Sequence, residues 1–172
     1  MNGRFGIAIL GALLAVVLQI VVAPNIAVMG TMPHFIIVYA VAISLVLPRD
    51  QVYVIVFVLG MIGDLLGYGP VGALPFILLI SALAIDLAQK TFGNGTLFVS
   101  CIIVVAFTIV VHFLHAAFMI AMTSSYSALE AFVLIAIPEA LYDCLLAVLC
   151  YLVMRRLLSP GETTMASVGP LK

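Results

Sequence analysis

Leu45-Val46-Leu47-Pro48-Arg49-Asp50-Gln51-Val52 interrupts a stretch that is otherwise apolar from Pro33 to Leu66. A proline followed by two opposite charges makes a tight turn, and a charged turn between apolar segments seeks water. The stretch therefore reads as two membrane segments joined at one surface. The same alternation runs in both directions along the chain. Apolar segments at 5–23, 33–47, 51–66, 71–88, 96–122 and 129–154 are separated by short polar or Gly/Pro-bearing connections. Arg4 precedes the first segment, Arg49 follows the second and Lys90 follows the fourth. Arg155, Arg156 and Lys172 follow the sixth, while the connections after segments one, three and five carry no Lys or Arg. Cationic connections stay in the cytoplasm. The expected fold is an all-α integral membrane protein with six transmembrane helices and both termini cytoplasmic.

Composition supports this reading. The 172 residues are 66% hydrophobic and 8% charged, which excludes a soluble globular domain. Residues 1–156 form a single six-helix domain, and 157–172 form a short disordered tail. No basic patch could neutralise phosphates, so nucleic acid is not an expected partner. Cys101, Cys144 and Cys150 all fall within apolar segments, where buried unpaired thiols are expected. Arg4 and the following apolar run resemble a secretory signal, but the run exceeds the roughly 7–15 residues of a signal core and reads as an uncleaved first span.

Segments two and three are short. About 15 residues at 1.5 Å each give roughly 22 Å, against a hydrocarbon core of about 30 Å. A hairpin that dips into the membrane over 33–66 is the alternative to two full spans. The charged tip at Arg49-Asp50 favours two spans.

Ionisable groups inside spans are costly and become functional candidates. Here they are Asp64, Asp86, His112, His115, Glu139 and Asp143. Glu139 and Asp143 share one helix face at i,i+4 spacing. His112 and Glu139 each lie about ten residues from the outer ends of their helices, or roughly 15 Å, so equal depth makes a His–carboxylate pairing plausible. Three readings follow: mutual satisfaction that stitches the bundle, a surface for a partner or ligand, and a proton relay. The first is favoured, because no continuous acid/His chain can be traced. Pro138 inside segment six is expected to kink it beside this pair. Ala8-xxx-Ala12, Gly11-xxx-Ala15 and Gly63-xxx-Gly67 are small-residue patterns of the kind that lets helices approach.

No catalytic constellation, metal-ligand spacing or cofactor motif is evident. Gly63-Asp64 and Tyr142-Asp143 are like fragments of intramembrane aspartyl protease motifs. They stand in the opposite chain order, and Met61 replaces the required glycine.

A set of short motifs in fixed order is more informative. Gln19, Pro24, Gly30 and Pro33 come first, followed by Leu47-Pro48 and Gly60-Met61-Ile62-Gly63-Asp64-Leu65-Leu66. Gly69-Pro70-Val71-Gly72-Ala73-Leu74 comes next, and Pro138-Glu139-Ala140-Leu141-Tyr142-Asp143 leads to Arg155-Arg156. From about Gln19 to Arg156 this organisation resembles the bacterial rod shape-determining protein MreD. His34 stands where that family often has an acid, and Asp143 where it often has Asn. The resemblance implies a non-enzymatic scaffold of the cell-elongation machinery. It would bind the single-span protein MreC and help couple MreB filaments to peptidoglycan synthesis outside. Partner-binding or bundle-specifying candidates are Gln19, Pro33, Gly63, Asp64, Gly67, Gly72, His112, Pro138, Glu139, Tyr142 and Asp143. On this reading the Asp64 region, the Gly67–Gly72 turn and the Glu139/Asp143 face present a groove to the partner's helix.

A second reading is the substrate-binding S-component of an energy-coupling-factor vitamin transporter, which also has six spans. The two families can share a fold without sharing a function. Asn25, Thr31 and Tyr68 are few polar groups for gripping a vitamin, and Trp is absent.

Overall fold

The computed structural model describes residues 3–27, 31–67, 71–92, 96–122 and 137–158. They form six α-helices: α1 (Gly3–Val21), α2 (Phe35–Ser44), α3 (Arg49–Leu66), α4 (Ala73–Phe92), α5 (Leu97–Met122) and α6 (Ile137–Leu158). A 3₁₀ turn at Ala23–Ile26, opened by Pro24, follows α1. Among the described residues α1, α4, α5 and α6 are long and apolar enough to cross a membrane. At 18 residues α3 is nearly as long, about 27 Å, but carries Arg49, Asp50 and Asp64.

Helix α2 departs from the sequence expectation in length and in place. It has 10 residues, about 15 Å, and every residue from Ile36 to Ser44 is buried. No face of Phe35–Ser44 is polar, so no face needs water, and α2 packs against all five other helices. Its one strongly polar side chain is satisfied locally, with Ser44 Oγ donating to the Ala40 carbonyl at 2.7 Å. The rest of segment two is not helical. Thr31–His34 enters α2 as non-helical chain, and Leu45–Pro48 leaves it as a turn. Backbone of that kind survives at membrane depth only where protein covers it and supplies hydrogen bonds.

The small residues of α1 serve this central helix. Ala8 and Ala15 are buried, and Tyr39 of α2 donates its hydroxyl to the Ala8 carbonyl at 2.6 Å. Gly11 lies under the Tyr39 ring, where a Cβ would stand 2.7 Å from the hydroxyl oxygen. Otherwise α1 is peripheral, exposing Leu10, Leu13, Leu14 and Val17.

Charge divides the bundle into two ends. Arg49 and Lys90 both pair with Asp86, and Gln89 Nε2 donates to the Leu45 carbonyl at 3.0 Å. Arg4 and Arg155 line a polar recess of about 410 Å³ with Leu45–Pro48 and Gln89. This end therefore gathers every described basic residue. Helix α6 continues past the expected end of segment six to Leu158, which is 1% exposed, because Leu158 belongs to the core. Pro138 lies at the start of the described part of α6, so the kink expected there falls on the edge of the described residues. Residues 123–136, where the expected segment begins, lie outside the described residues, as do 159–172 of the tail.

Candidate functional site

The end opposite the cations carries the candidate residues in three groups. The first joins α3 to α4. Asp64 is 5% exposed and accepts the Gly72 N–H at 2.6 Å and the Leu74 N–H at 3.2 Å to each oxygen. A carboxylate from the end of one helix thereby satisfies the orphan amides and positive dipole end of the next. Gly72 has φ +103°, a conformation that disfavours any side chain, so the glycine is needed to turn its N–H onto Asp64. Gly63 lies beneath the same junction, where a Cβ would meet the Leu74 side chain at 2.5 Å. Gly67 closes α3 by donating to the Gly63 carbonyl at 3.0 Å. Asp64→Asn keeps an acceptor but loses its charge and turns an amide NH₂ toward N–H donors. We expect it to cost about 1–3 kcal/mol, read as a lower melting temperature in detergent.

The second group supports the non-helical chain before α2. Gln19 Nε2 of α1 donates to the Pro33 carbonyl at 3.3 Å. On the next residue, the His34 N–H donates to both Asp143 oxygens, at 3.1 and 2.9 Å. Because Pro33 has no N–H, these two contacts serve polar groups that a helix would otherwise have paired.

The third group surrounds Asp143, which is fully buried. His112 of α5 is 2% exposed and lies between the two acids of α6. Its Nε2 is 2.9 Å from Asp143 Oδ2 and its Nδ1 is 3.9 Å from Glu139 Oε2. His34 Nε2 is 3.9 Å from Glu139 Oε1. The His34 ring lies 6.3 Å from that of His112 and 5.9 Å from that of His115, centre to centre. His34 and His112 thus meet the two carboxylates of α6, and His115 joins the group through the His34 ring. Equal depth brings His112 to Glu139 as anticipated, but Asp143 is the nearer acid. Tyr142 is half-buried beside Asp143 and, one residue away, points about 100° around the helix.

His34 was not among the candidates, and His115 was singled out only as an ionisable group within a span. Segment two looks helical from Pro33 onward, which hides that His34 sits on open backbone with its N–H free for Asp143. A usable signal was that the alternating topology puts all three histidines at the same end. Asp86, by contrast, belongs to the cationic end.

The family model described as rod shape-determining protein MreD matches residues 1–160 of this chain. The chain belongs to the MreD family. Membership and the four long apolar helices make it a membrane protein with a role in rod-shape determination. No curated protein and no solved structure matches it. Residues from the stretches that carried the resemblance lie at the junctions described above: Gly63-Asp64 and Gly72 form the α3–α4 cap, while Glu139 and Asp143 supply the acids of the buried cluster.

Proposed function

We propose that this protein is a non-enzymatic scaffold of the cell-elongation machinery in the bacterial cytoplasmic membrane. It holds the membrane helix of an MreC-like partner and so helps couple MreB filaments to peptidoglycan synthesis. The observation that carries the reading is the MreD match over residues 1–160, which leaves no room for a separate catalytic domain within that span. Separation of all described cations to one end supports a chain crossing six times with its termini in the cytoplasm. The vitamin-carrier reading is not favoured, since the family match points elsewhere.

The geometry also bears on where a partner helix would lie. The Asp64 and Asp143 carboxylates are engaged within the bundle, so they shape the docking surface without touching the partner. The most open helix is α1, with only Ala8 and Ala15 of its 19 residues buried. Between α1 and α3 runs an apolar groove of about 240 Å³, lined in part by Ile9, Ala12, Val16, Val58 and Ile62. A lipid-facing groove with a small residue at its floor suits van der Waals packing of a single helix. The test is co-purification of the MreC-like protein with wild type and with Ala12→Phe, which fills the groove, alongside depletion in rod-shaped cells. Rounding on depletion and capture of the partner by wild type alone are expected. Failure of wild type to capture it would reject the scaffold reading, and equal capture by Ala12→Phe would reject the groove.

A further inference from the structure

We propose that His112, Glu139 and Asp143 form a binding site for one divalent transition ion of the zinc class. The ion would tie α5 to α6 beneath the start of α2. One potential ligand atom from each residue lies within 4.8 Å of the others. The donors are an imidazole and two carboxylates, a mixed nitrogen and oxygen set that suits zinc and its neighbours.

Two independent observations point to an ion. The first is the state of His112. Its Nε2 is buried and makes no hydrogen bond, although Asp143 Oδ2 is 2.9 Å away. The carboxylate oxygen lies off the axis along which the ring nitrogen would donate or accept. Two ligands on one tetrahedral zinc, each about 2.0–2.1 Å from it, stand roughly 3.3 Å apart, so this 2.9 Å pair has only to open by a few tenths of an ångström to hold one.

The second is charge. Three carboxylates sit at this end, with Asp64 capping α4 and Glu139 and the completely enclosed Asp143 beside His112, and every described Arg and Lys lies at the opposite end. Buried carboxylates in a membrane need a nearby cation or protonation. The neighbours able to help are the three imidazoles, and a divalent ion balances Glu139 and Asp143 while leaving the imidazoles neutral. Asp143 would keep accepting the His34 N–H, which orients a ligand carboxylate in the way outer partners usually do. His34 Nε2, 3.9 Å from Glu139 Oε1, and water entering beside the partly exposed Glu139 are available for the remaining positions. The role is structural, because an ion bound only by the folded bundle raises its stability by mass action.

The test uses the full chain in detergent, purified through a tag without histidine and stripped with EDTA. One equivalent of Zn²⁺ is added, and retained metal is measured by ICP-MS after gel filtration. Wild type should retain about one zinc per chain and melt at a higher temperature with zinc than without. His112→Asn and Glu139→Gln, which leave the Asp143–His34 contact in place, should each reduce retention at least tenfold while eluting as single species. Co²⁺ in wild type should give visible d–d bands that Zn²⁺ abolishes, a readout that needs no variant. Wild type without retained zinc and without cobalt bands would overturn the proposal. Equal retention by wild type and both variants would overturn it too.

Discussion

Asp143→Ala should be among the most destabilising single substitutions in this protein, even with no metal added. The carboxylate is enclosed by α2, α5 and α6, and its loss removes the acceptor for the His34 N–H at the entrance of the central helix. It also removes the carboxylate oxygen that lies 2.9 Å from His112 Nε2. Removing one member of a buried charged set typically costs about 3–5 kcal/mol. For a chain of this size that corresponds to a fall in melting temperature on the order of 10 °C. Thermal unfolding in detergent is the measurement. Asp143→Asn, which can still accept from His34, should fall between the alanine variant and wild type. Leu145→Ala, on the exposed side of the same helix, should change little. If Asp143→Ala melted with the Leu145 variant, the carboxylate would not be holding the three helices.

Gly60→Ala should be nearly as damaging, through shape alone. A Cβ at position 60 would stand 2.4 Å from Pro75 Cα and 2.6 Å from its nitrogen. These are backbone atoms of α4, so no side-chain rotation relieves the overlap, and the two helices must move apart. Overpacking of this kind costs typically about 1–3 kcal/mol, and more where backbone is struck. Separation would also draw the Asp64 carboxylate away from the Gly72 and Leu74 amides. Gly6→Ala is the internal control, since a Cβ there meets nothing within 4 Å and alanine favours the helix. Opposite shifts in melting temperature for these two identical chemical changes are expected. A Gly60→Ala protein as stable as wild type would mean that α3 and α4 do not cross at this point.

The contrast between these glycines shows what the sequence could and could not convey. Six helices were readable because apolar length is a local property, and the placement of Arg and Lys foreshadowed the gathering of the described cations at one end. Gly63-xxx-Gly67 caught the eye as a spacing, yet the tight crossing with α4 uses Gly60 and Gly63, one helical turn earlier. Which neighbour a small residue faces is set by the helix crossing, and that is not encoded in spacing. Asp64 was visible as an expensive group at a helix end. Its role as the cap of α4 depends on a glycine at positive φ eight residues later. The His112–Glu139 relation could be anticipated from equal depth in antiparallel helices. His34 could not, because an apolar run opened by proline gives no hint that the first part of segment two remains non-helical.

Helix α2 carries a consequence for biogenesis. Ten residues are too few to hold a stable place in lipid alone, and the contact that secures its entrance comes from Asp143, 109 positions later in the chain. While synthesis is still in progress, this segment has no permanent seat. Its neighbours must be laid down first and must close around it after the last helix emerges. Premature termination before α6 would therefore yield a fragment with its innermost piece unanchored, a natural substrate for membrane quality-control proteolysis.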